Sequence, residues 1–442
     1  MKNALILAYD FPPYNSVGAL RPKSWLNHMH EFNIRPIVVT RQWSNSGNIT
    51  VDYVNYSPKP KQQILNLENG VIIETPYKPN IANRMYIRFG KNKFSFLRKI
   101  ISFYYEVFQF IFLVGPKKEI YFSARQYLKK NNVDIIIATG EPFVLFHYAK
   151  KLSNEFNIPW VADYRDPWFN DSDRGPLIKR VIFDKFMEKK VVKTALFITT
   201  VSELFKKYIS ENIKSKKIFI IENGFDSDAI EEIQNITQNS KVLTVSFVGT
   251  IYKWHPINSI FSTLKKIIKS NPEFKIKFNL YGINDAEKLK ENISTNYLEI
   301  KSFIEFHPKT NNKKLLSNLR SSNILLLFNY YSFMGTKIYD YLGTNRRILF
   351  CFKNDSEAIA LKDKFYNYKD DENFNVHPQI DLLNKTNSGI IVENKDHLYD
   401  TLLELNEIFK KKKLIPVLEH NNSNYSRREQ CKLLCENIIN YL

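Results

Sequence analysis

Cysteine is scarce, three in 442 residues. Two of them, Cys431 and Cys435, fall one helical turn apart near the end of the chain, and no other Cys or His is close enough in sequence to complete a zinc site. That removes a structural zinc centre from consideration and suits a reducing compartment. Long hydrophobic runs are missing too. The first ten residues carry one Lys and an apolar run at 4–8, too brief for the core of a signal peptide, so the run reads as the first β-strand of a protein that starts inside the cell. Asn-x-Ser/Thr triplets such as Asn48-Ile49-Thr50 then carry no glycosylation meaning. No repeat of fixed period and no low-complexity block occurs. With 44% hydrophobic, 14% aromatic and 25% charged residues, the chain is not a disordered one.

Acidic residues are outnumbered, 45 against 64 basic ones, which leaves a formal charge of +19 at pH 7. Such a surplus favours an anionic partner: nucleic acid, an anionic lipid surface or phosphorylated small molecules. A compositional preference for Lys and Asn would produce it equally well. The basic residues are spread along the chain, with no zinc-finger, RRM or homeodomain pattern, and this argues against nucleic acid.

At roughly 100–200 residues per domain the length predicts two or three domains. Short apolar runs at 4–8, 34–40, 134–138, 160–162, 195–200 and 217–221 are separated by longer helix-like stretches, which predicts parallel βαβ units in a doubly wound sheet. A second series follows at 242–248, 275–281, 300–306, 324–328 and 347–352, with helical segments such as 256–269 and 311–319 between them. Two α/β domains in tandem are expected, 1–228 and 241–420, joined by a polar linker at 229–240 that has no sustained apolar period.

One segment breaks that rhythm. From Phe94 to Val114 aromatic and aliphatic side chains sit on nearly every face of a helix, interrupted by Ser95, Arg98, Lys99, Ser102, Glu106 and Gln109. Its most apolar part would span about 22 Å, short of the roughly 30 Å hydrocarbon core, and carries Glu106. A transmembrane helix does not fit. Arg88, Lys91 and Lys93 before it, with Lys117 and Lys118 after it, suit a helix docked on an anionic bilayer surface; a core helix of the first domain is the other reading.

Four motifs carry chemistry. The first strand ends in a loop holding Gly18, Ala19 and Arg21, where a glycine lets a ligand approach the backbone and a helix N-terminus with Arg21 favours an anion or polar acceptor. Asp163-Tyr164-Arg165-Asp166-Pro167-Trp168 runs off another strand; its carboxylates could pair structurally with an Arg or bind the hydroxyls and phosphates of a sugar. Gly249 and Thr250 follow a strand in the second half, with Lys253 beyond them. Gly335-Thr336-Lys337 opens a helix and aims amides, a hydroxyl and a Lys at one point, as a diphosphate cradle would. Asp340, on the same helical face as Lys337, can hold the paired hydroxyls of a ribose. The spacing of a Walker loop is absent.

In order and spacing these motifs resemble the GT-B glycosyltransferases of family four, over nearly the whole chain. Phe11-Pro12-Pro13 with Gly18-Ala19-Leu20-Arg21 is similar to the acceptor-side glycine loop, and residues 163–168 to the Asp-x-Arg-Asp-x-Trp element. Thr200-Val201-Ser202-Glu203 and Glu222-Asn223-Gly224-Phe225-Asp226 resemble the Val-Ser and Asn-Gly-x-Asp elements. Residues 247–253 resemble the donor glycine loop, and Lys337-Ile338-Tyr339-Asp340-Tyr341-Leu342 the Lys-Leu-Tyr-Glu-Tyr-Leu motif. Tyr425-Ser426-Arg427 opens a final helix, about 421–442, like the one that in this fold crosses back to the N-terminal domain.

The chain departs from the family pattern at several points. Where many members have two Glu eight residues apart, this chain has Ser332 and Asp340; Thr250 stands at an Arg position, with Lys253 or His255 near a Lys position; and Arg165 stands where a His is common. These changes resemble a subgroup that builds bacterial surface polysaccharides on lipid-linked acceptors.

The resemblance implies two Rossmann-like domains facing a central cleft and a retaining transfer from a nucleotide diphosphate sugar, a UDP-sugar by expectation, with no metal or other cofactor. Gly249, Thr250, Lys253, Gly335, Thr336, Lys337 and Asp340 would bind the donor. Gly18, Ala19 and Arg21 would bind the acceptor, and Asp163, Arg165, Asp166 and Lys337 would be catalytic. The acceptor would be a lipid-linked glycan of a capsule, O-antigen or exopolysaccharide, met at the inner face of the plasma membrane. An inactive scaffold of the same fold is the alternative.

Overall fold

The computed structural model describes residues 1–14, 16–44, 49–168, 178–366, 377–418 and 422–442. Asn15 of the first loop, Asn48 of the Asn-x-Thr triplet and residue 421 at the expected start of the last helix lie outside the described residues. The chain divides into two compact units, Met1–Asn223 with Arg427–Leu442, and Gly224–Ser426. The first boundary therefore precedes 228, and residues 229–240 belong to the second unit. Their polar side chains are engaged there: Gln238 donates to the Ile415 carbonyl at 2.7 Å and accepts from Asn323 at 2.9 Å, while Ile233 is buried. Composition alone does not separate such bonded polar residues from solvated ones.

The first unit holds eight strands, β1 (Lys2–Leu7), β2 (Ile34–Arg41), β3 (Gln63–Asn66), β4 (Val71–Thr75), β5 (Ile135–Gly140), β6 (Trp160–Tyr164), β7 (Ile198–Thr200) and β8 (Ile218–Ile220). Their order is β3-β4-β2-β1-β5-β6-β7-β8, parallel throughout except for the antiparallel edge pair β3-β4. The helices are α1 (Val17–His28), α2 (Ile49–Val54), α3 (Ile81–Phe89), α4 (Ser95–Phe108), α5 (Lys118–Leu128), α6 (Val144–Phe156), α7 (Ile178–Val192) and α8 (Glu203–Asn212). Central strands buried on both faces read as continuous apolar runs, as Ala4-Leu5-Ile6-Leu7 does. The β3-β4 hairpin is half exposed and mixed in composition, and so left no such run.

The second unit contains α9 (Ser227–Glu231), β9 (Leu243–Val248), α10 (Ile257–Ser270), β10 (Ile276–Tyr281), α11 (Ala286–Asn296), β11 (Ile304–His307), α12 (Asn312–Ser321), β12 (Ile324–Phe328), α13 (Lys337–Thr344), β13 (Arg347–Cys351), α14 (Ser356–Phe365), α15 (Pro378–Lys385), β14 (Gly389–Val392) and α16 (Lys395–Lys412). Its six-stranded parallel sheet runs β11-β10-β9-β12-β13-β14. The strand expected at 300–306 is in fact a short 3-10 turn, Leu298–Phe303, ahead of β11, because Ile300 is buried under the turn and only the last residues pair with β10.

The final helix, α17 (Arg427–Tyr441), returns to the first unit. Cys431, Leu434, Cys435 and Ile438 are buried against Ile135, Val38 and Phe197 on one face of the sheet, so both cysteines act as small core residues. Gln430 accepts from the Glu222 amide at 2.6 Å, and Arg428 pairs with Glu31 at 2.6 Å.

Helix α1 is fastened to the sheet by a buried ion pair. Arg21 donates through Nε and Nη2 to Asp163 at the end of β6, at 2.7–3.1 Å, and through Nη1 to the Ile221 and Glu222 carbonyls at 2.8 and 3.1 Å. Thr199 of β7 adds a 2.7 Å bond to the same carboxylate. Removing one partner of such a pair leaves the other charged and dry. Asp163→Ala should therefore lower the stability of the first unit by about 3–5 kcal/mol, read as a fall in its urea midpoint. Asp163→Asn, which keeps an acceptor, should lose less.

Candidate active site

In the first unit a cavity of about 980 Å³ opens at the C-terminal ends of β1, β5 and β6. Asp10, Glu141 and Arg165 come from the loops after those strands, and Lys117 and Glu106 face them. Ser16 caps α1: its hydroxyl accepts from the Gly18 amide at 3.0 Å and donates to Asp10 at 2.9 Å. Arg165 donates to the Gly140 and Glu141 carbonyls, both at 2.7 Å. Its guanidinium lies across Gly18, where a Cβ would stand 1.5 Å from Nη1 and 3.0 Å from an Asp10 oxygen. A side chain at 18 would displace the Arg165 guanidinium from this position. Burial raises the Asp10 carboxyl above its ordinary range, and the Arg165 charge and the Ser16 hydrogen bond pull it back. Burial pushes the Lys117 ammonium down, against the pull of Glu106, Glu141 and Asp10.

Asp163 is fully buried and Arg21 nearly so, each engaged by the other. They hold α1 in place, the structural pairing, although the arginine involved is Arg21 and not the adjacent Arg165. Ala19 is buried on the inner side of α1 and likewise packs. Arg165 lines the cavity, and Asp166 is exposed just past it. Asp10 and Lys117 also line the cavity; Asp10 comes two residues after the apolar run at 4–8, and that position past a strand end is its signal in the sequence.

The second unit brings Gly249 and Lys337 together. Gly249, at the end of β9, has φ +85°, a left-handed conformation that favours glycine, and a Cβ there would lie 3.7 Å from Lys337 Cε and Nζ. Tyr341 of α13 accepts the Val248 amide at 3.2 Å and so ties the end of β9 to that helix. Lys337 Nζ is buried, has no hydrogen-bond partner among the described residues, and sits 4.1 Å from the Phe247 ring centroid and 5.8 Å from that of Tyr330. Burial pushes its ammonium down to about 7. His255 accepts from the Tyr252 amide at 3.2 Å, stacks on Phe328 and is held neutral by burial and by the Lys337 charge.

Gly335, at φ +68°, backs onto Tyr330, and Thr336 precedes the first turn of α13, which contains Asp340. Thr250 is half-buried beside Gly249, whereas Lys253 is exposed near Phe365. Ser332, at the position of the missing carboxylate, is buried 3.3 Å from the Tyr366 hydroxyl.

No family model matches the chain. The α,α-trehalose-phosphate synthase of Burkholderia xenovorans, in complex with glucose-6-phosphate, is similar with a TM-score of 0.59 and 11% identity, covering 100% of this chain and 99% of that one. A trehalose-6-phosphate protein of E. coli bound with UDP-2-fluoro glucose is similar with a TM-score of 0.54 and 10% identity, covering 100% and 96%. The fold is that of the GT-B glycosyltransferases. In sequence, an uncharacterized glycosyltransferase of Methanocaldococcus jannaschii is 29% identical over 157 residues, 34% of this chain. The match spans 38% of that relative's length.

An unpaired ammonium that titrates near 7 should take up a proton when an anion arrives, because the anion's charge raises its pKa. Inorganic pyrophosphate should bind with net proton uptake at pH 8, measured by calorimetry in buffers of different ionisation heat. Affinity should weaken as pH rises above 7, and Lys337→Met should abolish the uptake.

Proposed function

We propose that this chain is a retaining glycosyltransferase that moves a sugar from a nucleotide diphosphate sugar to an acceptor hydroxyl. The observation that carries the reading is Lys337: a buried cation with no hydrogen-bond partner among the described residues, facing Gly249 at the C-terminal end of β9, where ligands bind in open α/β sheets. A polypeptide holds such a charge dry only at a cost, and an anionic ligand would offset it. The GT-B fold, the curated glycosyltransferase relative and the UDP-sugar bound to the E. coli neighbour support the same conclusion.

In this reading Lys337, the Gly249-Thr250 segment and Thr336 hold the diphosphate, and Asp340 accepts from the ribose hydroxyls. Lys337 stabilises the negative charge that develops on the departing diphosphate as its bond to the anomeric carbon breaks and the acceptor oxygen bonds there. That charge is supplied by the chain, so the proposal asks for no metal. Arg165 and Asp166 line the acceptor side in the first unit, with Gly18 beneath them. The acceptor is a lipid-linked glycan of a bacterial surface polysaccharide, and residues 94–114 hold the enzyme on an anionic membrane surface at the inner face of the plasma membrane. Among the described residues no helix is long and apolar enough to cross a membrane.

Calorimetric titration with UDP, GDP, ADP and CMP, without and then with Mg²⁺, tests the donor site. One nucleoside diphosphate, expected to be UDP, should bind in the micromolar range. Asp340→Ala should weaken it by about tenfold or more through lost hydroxyl contacts, and Lys337→Ala by a similar factor through lost charge. Folded protein that binds no nucleotide would replace the enzyme with an inactive scaffold, and the buried Ser332 would then mark lost donor chemistry.

A further inference from the structure

The sheet of the first unit ends on one side in an exposed strand. β3 is hydrogen-bonded to β4 along one edge only, and its apolar side chains stand in water on both faces: Ile64 is 53% exposed, Leu65 43% and, just past the strand, Leu67 40%. Sheet edges are commonly blunted by charged side chains, Pro or a bulge. Here Pro60 and Lys61 stop short of the strand, and residues 62–67 hold no charge, no Pro and no Gly. The other edge strands, β8, β11 and β14, show no large apolar side chain exposed to this degree among the described residues.

The hairpin fixes which backbone groups of β3 face outward. The Leu67 amide donates to the Gly70 carbonyl at 2.9 Å, and the register sets Leu65 opposite Ile72 and Gln63 opposite Glu74. Hydrogen-bonded pairs alternate along an antiparallel ladder, so residues 67, 65 and 63 bond inward, and the N–H and C=O of Ile64 and Asn66 point away from β4.

We propose that β3 pairs antiparallel with β3 of a second copy of this chain, about a two-fold axis through Leu65, so that the sheet of one first unit runs on into the other. Such an axis, perpendicular to the sheet, brings Ile64 opposite Asn66 of the second copy, and these are the residues whose backbone groups face outward. Leu65 meets Leu65 of the second copy as a non-hydrogen-bonded pair, the closer of the two kinds. Leu67 of each copy then reaches the other's Leu65 on the diagonal, and the half-exposed leucines cover one another on one face. Antiparallel pairing also brings Lys59 and Lys61, ahead of the strand, to the end where Glu68 of the second copy lies, and does so at both ends. A strand donated by an unrelated chain would use the same backbone groups without this match of leucines and charges. β4 and β2 separate β3 from the strands that carry the cavity, and the inference does not depend on the transferase reading.

Sedimentation velocity of the full-length protein at rising concentration tests it. A contact of this size falls in the small, weak class, so wild type should pass from monomer to dimer with a midpoint on the order of 10–100 µM. Ile64→Pro removes an outward N–H and leaves the bonds to β4 in place, and Leu65→Lys sets two ammonium groups opposite each other on the axis. Each should raise the midpoint by about tenfold or more, with the far-UV circular dichroism of the monomer unchanged. Leu65→Cys should form an intermolecular disulfide on mild oxidation, because a residue on the axis meets its own copy within disulfide reach, whereas Leu67→Cys should not. The native cysteines are buried and stay out of that reaction. A wild type that stays monomeric across this range, association unchanged in both Ile64→Pro and Leu65→Lys, or cross-linking of Leu67→Cys as efficient as that of Leu65→Cys would each overturn the proposal. Binding of an extended peptide of unrelated sequence as strongly as a peptide of residues 60–69 would overturn it too, and would make β3 a receptor for a donated strand.

Discussion

A guanidinium removed from water must be given acceptors, and Arg21 is given them by two segments that lie far from it in the chain, Asp163 of β6 and the carbonyls of Ile221 and Glu222. Its fork grips Asp163 at the end of β6, its remaining nitrogen reaches the carbonyls after β8, and Thr199 of β7 completes the carboxylate. The first unit's loops depend on this arrangement. It fixes where α1 begins, hence where Ser16 caps it and where Gly18 passes beneath Arg165, and those contacts shape the cavity wall around Asp10.

The second unit is organised around the opposite condition, a charge that is left without a partner. Lys337 could have been neutralised by a carboxylate, as buried cations commonly are. Instead its surroundings are the rings of Phe247 and Tyr330, the backbone of Gly249 and the neutral His255. Aromatic faces attract an ammonium without removing its charge from the site. The two units thus treat their buried cations differently: Arg21 is satisfied by a carboxylate and carbonyls, and Lys337 is surrounded by aromatic rings.

Helix α4 carries apolar and polar residues on different sides. Its polar residues looked like interruptions of an apolar helix, and the fold collects them on a single stripe that faces the cavity. A core helix would have buried some of its side chains, and α4 buries none. The distribution of the +19 charge acquires meaning in the same way, since the cations near α4 flank an exposed apolar surface while many others are solvated lysines on helix exteriors.

The sequence by itself determined the class of fold, because strands buried on both faces must be written as unbroken apolar runs, and two series of them with helices between leave little besides paired parallel sheets. It also pointed to Gly249 and Lys337 as neighbours, since each lies in a segment that follows a strand in a fold that gathers such ends on one edge, and the two do approach each other. Only the tertiary structure decided which Arg pairs with Asp163, because Arg21 and Arg165 are equivalent in a one-dimensional reading and differ by which one is buried against that carboxylate. The same holds for the edge hairpin β3-β4 and for residues 229–240, whose polar groups are satisfied by partners distant in sequence. Hydrophobic periodicity is a local property and is legible residue by residue. Burial of polar groups is set by contacts across tens to hundreds of residues, and it becomes legible only once the chain has brought them together.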